Sequence, residues 1–326
     1  GSKGVFGTSK TQMLWSMVVG RILFGIGLET TCVLISRTIV KWFKGKELAF
    51  AMGMNIVVGR LGSFMAISFS HDLGGGNLSN ALVISASIIM VGTLLFIAYL
   101  GLDKKLDTQL AEQAGADASS GDEFKFSDLV KLITDHSFIF ISLLCVAFYS
   151  AVFPFLQYAP DLLVNKFGFT YTLPDLSGAS FFQRIGAYLT NGPKVSGLIP
   201  LGTIIFTPIF GRLVDAKGKA ASLMILGSVL LIYAHLTLSV MNNVVLGYTG
   251  LFALGVAFSL VPAAMWPSVA KIVAENRLGT AYATMFTIQN YGLSLFYFGI
   301  GKVLDMVNPT TVNQMAAARE KFADAG

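Results

Sequence analysis

Charged residues are scarce in this 326-residue chain, at 13% of the sequence. Soluble globular domains carry about 25% charged residues. The 54% hydrophobic content and the mean hydropathy of +0.68 therefore exclude an ordinary soluble protein. Proline is also scarce, with 9 residues beside 34 glycines and 26 phenylalanines, which excludes a low-complexity disordered chain. The composition is that of an all-α integral membrane protein.

Cysteine and histidine are rarer still, with 2 and 3 residues. Cys32 and Cys145 both lie in apolar segments. This position argues against a disulfide framework and predicts that both side chains are buried for structural reasons. The histidines are scattered and show no metal-ligand spacing. The sequence also has no phosphate-binding loop and no nucleophile elbow. We therefore predict no metal, no cofactor, no ATP-driven step and no enzymatic activity.

Long apolar runs occupy most of the chain. A helix that crosses a bilayer needs roughly 20 apolar residues, and about eight runs reach that length. They cover residues 13–40, 47–71, 79–102, 137–164, 195–213, 220–241, 244–272 and 278–304. The sequence therefore predicts about eight transmembrane helices.

Two polar stretches interrupt these runs and predict the domain boundaries. Residues 103–136 are rich in charge and predict a partly helical cytoplasmic linker between a first bundle, 1–102, and a second bundle, 137–307. Residues 165–194 predict a loop on the opposite face of the membrane, where apolar side chains at near-helical spacing predict an interfacial or lid helix. Residues 308–326 are predicted to form an outer loop or tail.

Lysine and arginine are distributed unequally between the two sets of loops. They cluster around residues 41–46, 103–136, 212–219 and 271–277, whereas the short loops after residues 71 and 241 have none. Because cytoplasmic loops carry the excess of basic residues, the first set is predicted to be cytoplasmic. Both chain ends then lie on the opposite face. The net charge of +5 follows from this pattern and predicts contact with the lipid bilayer, not with nucleic acid.

Two charged residues lie deep inside apolar runs, which is costly in a bilayer and usually marks function. Glu29 precedes the end of the first run by eleven residues, and Arg60 follows the start of the second by thirteen. At 1.5 Å per residue, both lie about 16–20 Å from the cytoplasmic boundary. One interpretation is a zwitterionic ligand whose ammonium binds Glu29 and whose carboxylate binds Arg60. The other is a salt bridge that only neutralises two buried charges.

Other polar and aromatic residues in the runs are candidates for the same cavity. They are Asn55, Tyr149, Gln157, Trp266, Gln289 and Asn290. Amide side chains bind peptide backbone or join neighbouring helices, and a tryptophan serves as a cavity wall or as core, so both alternatives stay open. Asn55 is 140° from Arg60 around the helix at 100° per residue, and the two are predicted to share a cavity only at its edge.

Three further features predict gating or structural roles. Arg21 lies about 80° from Glu29 around the same helix and is assigned to packing or proton coupling. Pro154 removes a backbone N–H in mid-helix and predicts a kink. A tight cytoplasmic turn predicts a conformational latch whose carboxylate pairs with a basic group or caps a helix N-terminus. The residues of this turn are Gly211, Arg212, Asp215, Lys217, Gly218 and Lys219.

Several motifs resemble those of the major facilitator superfamily. GRILFGIGLET resembles the fourth helix of that family, and GRLVDAKGK resembles its signature loop between the second and third helices of a six-helix half. A larger set resembles the branch of lysosomal dipeptide transporters and their bacterial relatives, over residues 13–305. This set contains the pair Glu29 and Arg60 with WFKGKELAFAMG, AVFPF, KFGF, MWPSVA and LGTAYATMFTIQNYGL.

The resemblance implies a fold of two six-helix bundles, of which this chain holds helices four to eleven. The sequence is then expected to be a fragment whose two ends lie on the non-cytoplasmic face. The distribution of basic residues among the loops independently predicts the same face. The resemblance also implies that Glu29 and Arg60 belong to the binding site, and that Gln289 and Asn290 line the central cavity.

These features predict a secondary transporter, facilitative or ion-coupled, that moves small organic solutes by alternating access, with dipeptides as the favoured substrate. A proton-coupled organic anion transporter is one alternative, with Arg60 binding the anion and Glu29 carrying the proton. A membrane scaffold or sensor without flux is another. The short loops favour a bacterial inner membrane, with an endolysosomal membrane as the alternative. The sequence does not indicate whether an accessory subunit binds.

Overall fold

A computed structural model of the chain describes residues 9–43, 47–75, 77–114, 126–314 and 317. Within these residues lie the ten α-helices given below, a further helical stretch over 309–314 and one short 3-10 helix, Glu275–Arg277. The β pairing found there is an isolated bridge between Thr170 and Asn191. The α-helices are α1 Lys10–Phe43, α2 Leu48–Leu73, α3 Leu78–Ala114, α4 Phe126–Thr134, α5 His136–Phe167, α6 Phe181–Leu189, α7 Gly192–Lys217, α8 Ala220–Val240, α9 Val244–Ile272 and α10 Leu278–Val307.

Each predicted apolar run coincides with one long helix. Seven of these helices, α1, α2, α3, α5, α7, α8 and α9, are long and apolar enough to cross a membrane. The eighth run is α10, which has 30 residues but is not among the seven, because no stretch of it combines the required hydropathy with few charges. Its length of about 45 Å at 1.5 Å per residue would suffice for a span. Polar side chains such as Gln289 and Asn290 in its middle account for the lower hydropathy.

Local sequence signals set the ends of the helices that frame the second half. Asp135 begins α5, because its side chain accepts a hydrogen bond from the backbone N–H of Phe138 at 2.9 Å. Gly168 ends α5 in a left-handed conformation with φ of 73°, which costs glycine little. Ser180 and Gln183 form a reciprocal capping box at the start of α6. The structure thus has a helix in the predicted outer loop, with Phe181 and Phe182 largely exposed.

Pro154 is buried inside α5 and does not end that helix. The helix continues from His136 to Phe167 despite Pro154 and a second proline at Pro160. Proline removes one intrahelical hydrogen bond and clashes with the preceding turn, so the packing of neighbouring helices compensates for both. The kink predicted at Pro154 stays a prediction.

The core lies around α9, which is the most buried of the long helices and contacts α2, α5, α7, α8 and α10. By contrast, no residue in the most apolar stretches of α1 and α3 is buried. Apolar surface of this extent is unfavourable in water and is compatible with a bilayer.

Helix α2 makes its most extensive contacts with α7, and only limited contacts with α1 and α3. Helix α10 packs against α5 and α1. The predicted division into bundles 1–102 and 137–307 therefore stays a prediction. Residues 115–125 of the predicted linker, and most of the predicted tail beyond residue 314, lie outside the described residues. The remaining linker residues extend α3 to Ala114 and form α4.

Candidate functional site

A cavity of about 380 Å³ lies where α1, α2, α5, α9 and α10 converge. Seven of the eight predicted binding residues line it. They are Glu29, Asn55, Arg60, Tyr149, Trp266, Gln289 and Asn290. These residues come from five helices spread over more than 260 positions of the sequence, so the cavity is a product of the tertiary fold. Its volume falls within the ~300–1,000 Å³ typical of small-molecule sites.

Glu29 and Arg60 both face this cavity without forming an ion pair with each other. One carboxylate oxygen of Glu29, Oε2, and the Nε of Arg60 are buried and have no hydrogen-bond partner among the described residues. A buried polar group without a partner costs roughly 1–3 kcal/mol, and more when it is charged. The salt-bridge interpretation is therefore not the arrangement that the structure contains. Two residues of opposite charge line one cavity without pairing with each other.

The aromatic wall of the cavity is built around Trp266, which is 7% exposed. Its indole N–H donates a hydrogen bond to the hydroxyl oxygen of Tyr149 at 3.0 Å, and its ring stacks on Phe286 with centroids 4.7 Å apart. The hydroxyl of Tyr282 donates to the backbone carbonyl of Trp266 at 3.2 Å. Trp266 is thus both part of the core and part of the cavity wall, and it offers a ligand its ring and not its N–H.

The two neighbouring amides on α10 have different environments. Gln289 is 7% exposed, and its carbonyl oxygen accepts a hydrogen bond from the Cys145 thiol at a Sγ–Oε1 distance of 3.3 Å. The amide nitrogen of Asn290 donates to the backbone carbonyl of Phe286 at 2.9 Å. This bond uses one of the two amide N–H groups of Asn290, so its second N–H and its carbonyl oxygen stay available. Gln289 therefore links α5 to α10, whereas Asn290 adds an acceptor and a donor to the cavity.

Gln157 is the predicted binding residue that does not line this cavity. Its side chain is exposed on α5. It follows Tyr149 by eight residues, which is about 12 Å along the helix. Arg21 is also outside the cavity; it is exposed on α1, with its guanidinium 5.7 Å from the ring centroid of Phe24.

Several residues that line the cavity were not predicted, although their helical spacing from predicted residues indicates a shared face. Cys32 and Ser36 follow Glu29 by three and seven residues, so they share its face, and Phe153 follows Tyr149 by four. The lining residues that were missed are Leu28, Cys32, Ile35, Ser36, Met52, Ile56, Phe153, Phe286 and Leu293. Most of them are apolar, and nothing in their composition distinguishes them from the lipid-facing residues of the same helices.

A second cavity of about 570 Å³ adjoins the first between α1 and α10. Glu29, Phe286 and Asn290 line both cavities. The second cavity adds the hydroxyl groups of Thr30, Thr287, Tyr291 and Ser294. Glu29 therefore lies at the junction of two cavities, whereas Arg60 lines the first.

The C-terminal end of α7 contacts the first turn of α2. The tight turn predicted from Gly211 onward begins only at Gly218, because Gly211, Arg212, Asp215 and Lys217 still belong to α7. The carboxylate oxygens of Asp215 accept hydrogen bonds from the backbone N–H groups of Ala49 at 3.1 Å and Phe50 at 2.9 Å. These N–H groups have no partner within their own helix, and an anion near them also interacts favourably with the helix dipole. Asp215 thus caps a helix that is 165 residues distant in sequence.

The other residues of the predicted turn allow this contact or surround it. A Cβ on Gly211 would lie 2.9 Å from the carbonyl oxygen of Ala49, so the close approach of α7 to α2 requires glycine. Arg212 places its guanidinium 4.7 Å from the ring centroid of Phe50. Gly218 ends α7 with a φ of 62°, and Lys217 and Lys219 flank it as exposed side chains.

We expect Asp215→Ala to lower the thermal stability of the protein in detergent, because it removes both capping hydrogen bonds. Loss of a helix cap costs about 1 kcal/mol. Thermal unfolding followed by intrinsic fluorescence measures the effect. Lys217→Ala changes an exposed residue at the same end of α7 and is expected to have no effect. Equal unfolding temperatures for the two variants would contradict the capping role.

The described residues contain no group of three or more His, Cys, Asp or Glu side chains able to hold a metal ion. Cys145 is buried, and Cys32 is partly buried at the cavity wall. The chemistry of the site is therefore that of two opposite charges, an amide oxygen and aromatic faces.

Comparison with known proteins gives the family. Residues 4–297 match the Major Facilitator Superfamily. The chain is similar to the lysosomal dipeptide transporter MFSD1 of several vertebrates. Identity is 30% over 305 residues with the protein of Danio rerio, covering 90% of this chain and 60% of the relative, and 31% over 310 residues with that of Gallus gallus, covering 89% and 63%. Identity with the protein of Homo sapiens is 29% over 308 residues, covering 89% and 60%.

The chain thus spans about 60% of the length of the curated relatives it matches. No solved structure matches it. The family predicted from the motifs is confirmed, and the relatives are transporters and not enzymes. The match covers all the residues that line the cavity, and it agrees with the seven helices able to cross a membrane. The chain is an integral multi-pass membrane protein that belongs to the major facilitator superfamily.

Proposed function

We propose that the protein is a secondary transporter that moves dipeptides by alternating access. Glu29 binds the ammonium group of the peptide, Arg60 binds its carboxylate, and the side chains of α5, α9 and α10 form the opposite wall. The relatives of this chain are named lysosomal dipeptide transporters, which supports a peptide as the substrate.

One observation carries this proposal. Glu29 and Arg60 line the same cavity, yet each retains a buried polar atom without a partner and the two form no ion pair. A zwitterion supplies the counter-charge that each residue lacks. Because hydrogen bonds to charged groups contribute about 1.5–3 kcal/mol, two such ends provide both affinity and orientation.

The neighbours of Glu29 support its role at the ammonium end. Asn290 lines both cavities that Glu29 lines, and its carbonyl oxygen is an acceptor that its hydrogen bond to Phe286 does not use. An ammonium group has three donors and no acceptor. A carboxylate and an amide oxygen from two different helices therefore match it better than they match a second carboxylate.

Alternating access requires contacts that form on one face and break on the other. The Asp215 cap on α2 is a candidate for the cytoplasmic contact, because it joins the two predicted bundles by hydrogen bonds that separation would break. Rocking of two bundles around a midplane site is the usual arrangement in such transporters.

A labelling experiment tests whether ligands occupy the cavity. Cys32 lines it, whereas Cys145 is fully buried. In the full-length protein, a small maleimide is expected to alkylate Cys32, and alanyl-alanine is expected to slow that alkylation. Cys32→Ser is expected to abolish the ligand-sensitive signal, and Cys145→Ser to preserve it. Alkylation of Cys32 at a rate that no dipeptide changes would contradict the proposal.

A proton-coupled organic anion transporter is the second candidate. The observation that favours it is the position of Glu29 at the junction of two cavities, where a carboxylate can exchange protons. It predicts uptake of monocarboxylates that an inward proton gradient stimulates. The dipeptide proposal predicts stabilisation by dipeptides in preference to monocarboxylates. A scaffold or sensor without flux predicts stabilisation by neither.

For the membrane of residence we propose the bacterial plasma membrane, which the short outer loops after residues 71 and 241 support. An endolysosomal membrane is the alternative, because the relatives are named lysosomal. The small-molecule partner is a dipeptide, or an organic anion on the second candidate. Fractionation of source cells with an antibody to the chain distinguishes the two membranes.

A further inference from the structure

Arg60 has an aromatic and not an acidic environment. Its guanidinium carbon lies 3.7 Å from the ring centroid of Phe258 and 5.5 Å from that of Phe153. Its Nε is buried without a hydrogen-bond partner. No ion pair to a carboxylate is found for it in the part of the chain that the structure describes. The positive charge of Arg60 therefore rests mainly against ring faces.

Phe258 is well placed to hold this charge in one position. It lies on α9, has an exposure of 0%, and is absent from the residues that line the cavity. Phe153 meets it edge to face, with centroids 5.9 Å apart and planes at 90°, and Phe148 packs beside it at 6.3 Å. A ring fixed by such neighbours presents one constant face to Arg60.

The nature of this contact matters for ligand binding. An aromatic face attracts a cation through its quadrupole and does not take up N–H donors as a carboxylate does. A salt bridge would hold Arg60 equally well but would occupy the donors that a ligand carboxylate needs. Support from a ring face is therefore compatible with a bidentate bond from Arg60 to a carboxylate in the cavity.

We propose that Phe258 is a positioning residue for the carboxylate end of the peptide, acting through Arg60. This inference rests on the proposed function of Arg60. Part of the specificity for a free carboxylate then comes from Phe258, a side chain outside the cavity. The ring does not touch the ligand, so its effect is confined to ligands that bear a carboxylate.

Fluorinated phenylalanines at position 258 test the inference without removing the ring. Each added fluorine weakens the negative ring face while shape and burial change little. Binding of alanyl-alanine by the full-length protein is measured by calorimetry, and alanine ethylamide, the same ligand without its carboxylate, is measured in parallel. We expect the Kd of alanyl-alanine to rise stepwise with fluorination, by about 3- to 30-fold in total, and the Kd of alanine ethylamide to stay constant.

Phe148 supplies the matched control. It belongs to the same aromatic cluster and contacts Phe258, but it is not among the rings that contact Arg60. Fluorination of Phe148 is expected to change neither Kd. Equal changes for both ligands, or no trend with fluorination at position 258, would overturn the positioning role. If the unmodified protein binds both ligands equally, the carboxylate role of Arg60 itself is wrong, and the inference is overturned with it.

Discussion

Arg60→Ala in the full-length protein is expected to weaken binding of alanyl-alanine about 30- to 150-fold. Loss of a bidentate hydrogen bond to a charged carboxylate costs about 2–3 kcal/mol, and 1.4 kcal/mol corresponds to a factor of ten. Arg60→Lys retains the charge but not the planar fork, so its effect is expected to be intermediate. Isothermal titration calorimetry measures all three proteins.

The same substitution separates binding from folding. Arg60 has a buried Nε without a partner and no acidic neighbour in an ion pair. Removal of an uncompensated buried charge does not destabilise a protein as removal of one member of a buried ion pair does. We therefore expect the unfolding temperature of ligand-free Arg60→Ala to equal or exceed that of the unmodified protein. A fall as large as that caused by breaking a buried ion pair would show that Arg60 has an acidic partner and would contradict the account.

Glu29→Gln is expected to have the second largest effect and to act on the other end of the ligand. The substitution keeps the shape of the side chain and removes its charge. Binding of alanyl-alanine is expected to weaken about 10- to 100-fold, because a charged hydrogen bond to the ammonium group is lost. N-acetyl-alanyl-alanine has no ammonium group, so its binding is expected to be the same in both proteins.

The N-acetylated ligand also distinguishes the two candidate functions. If Glu29 carries a transported proton, Glu29→Gln reduces uptake of every substrate, including the acetylated one. If Glu29 binds the ammonium group, only ligands with a free amino end are affected. An equal loss for both ligands would therefore favour the proton-coupled alternative.

The helices were predictable because each is encoded by one continuous segment. An apolar run of about 20 residues predicts a span by itself. Capping residues such as Asp135 and Gly168 contact backbone groups only a few residues away. The hydropathy of α10 was the exception. Its central amides, Gln289 and Asn290, interrupt the apolar run, and both line the cavity.

The site was predictable in part, for a related reason. A charge or amide within an apolar run is visible in the sequence, and seven of the eight residues chosen in this way line one cavity. Gln157 has the same character as Gln289, but it lies too far along α5 to reach that cavity. Gln157 and Gln289 differ in their position along their helices relative to the cavity. That position depends on how the helices pack.

The partners of the chosen residues were not predictable. The N–H of Trp266 is satisfied by Tyr149, which lies 117 positions earlier, and Arg60 rests on Phe258, which lies on α9. Such contacts depend on which faces of distant helices meet. The Asp215 cap was foreseen as a possibility only, because the sequence does not indicate which helix N-terminus lies nearby.

The central claim is that Glu29 and Arg60 bind opposite ends of one transported peptide. Uptake of radiolabelled alanyl-alanine into proteoliposomes tests it most directly, with the full-length protein, Glu29→Gln and Arg60→Ala compared at equal reconstitution. The account predicts saturable uptake by the unmodified protein, competed by dipeptides with both ends free and not by ligands with both ends blocked. It also predicts that each variant loses most of this uptake. Uptake of alanyl-alanine that neither substitution changes would contradict the account.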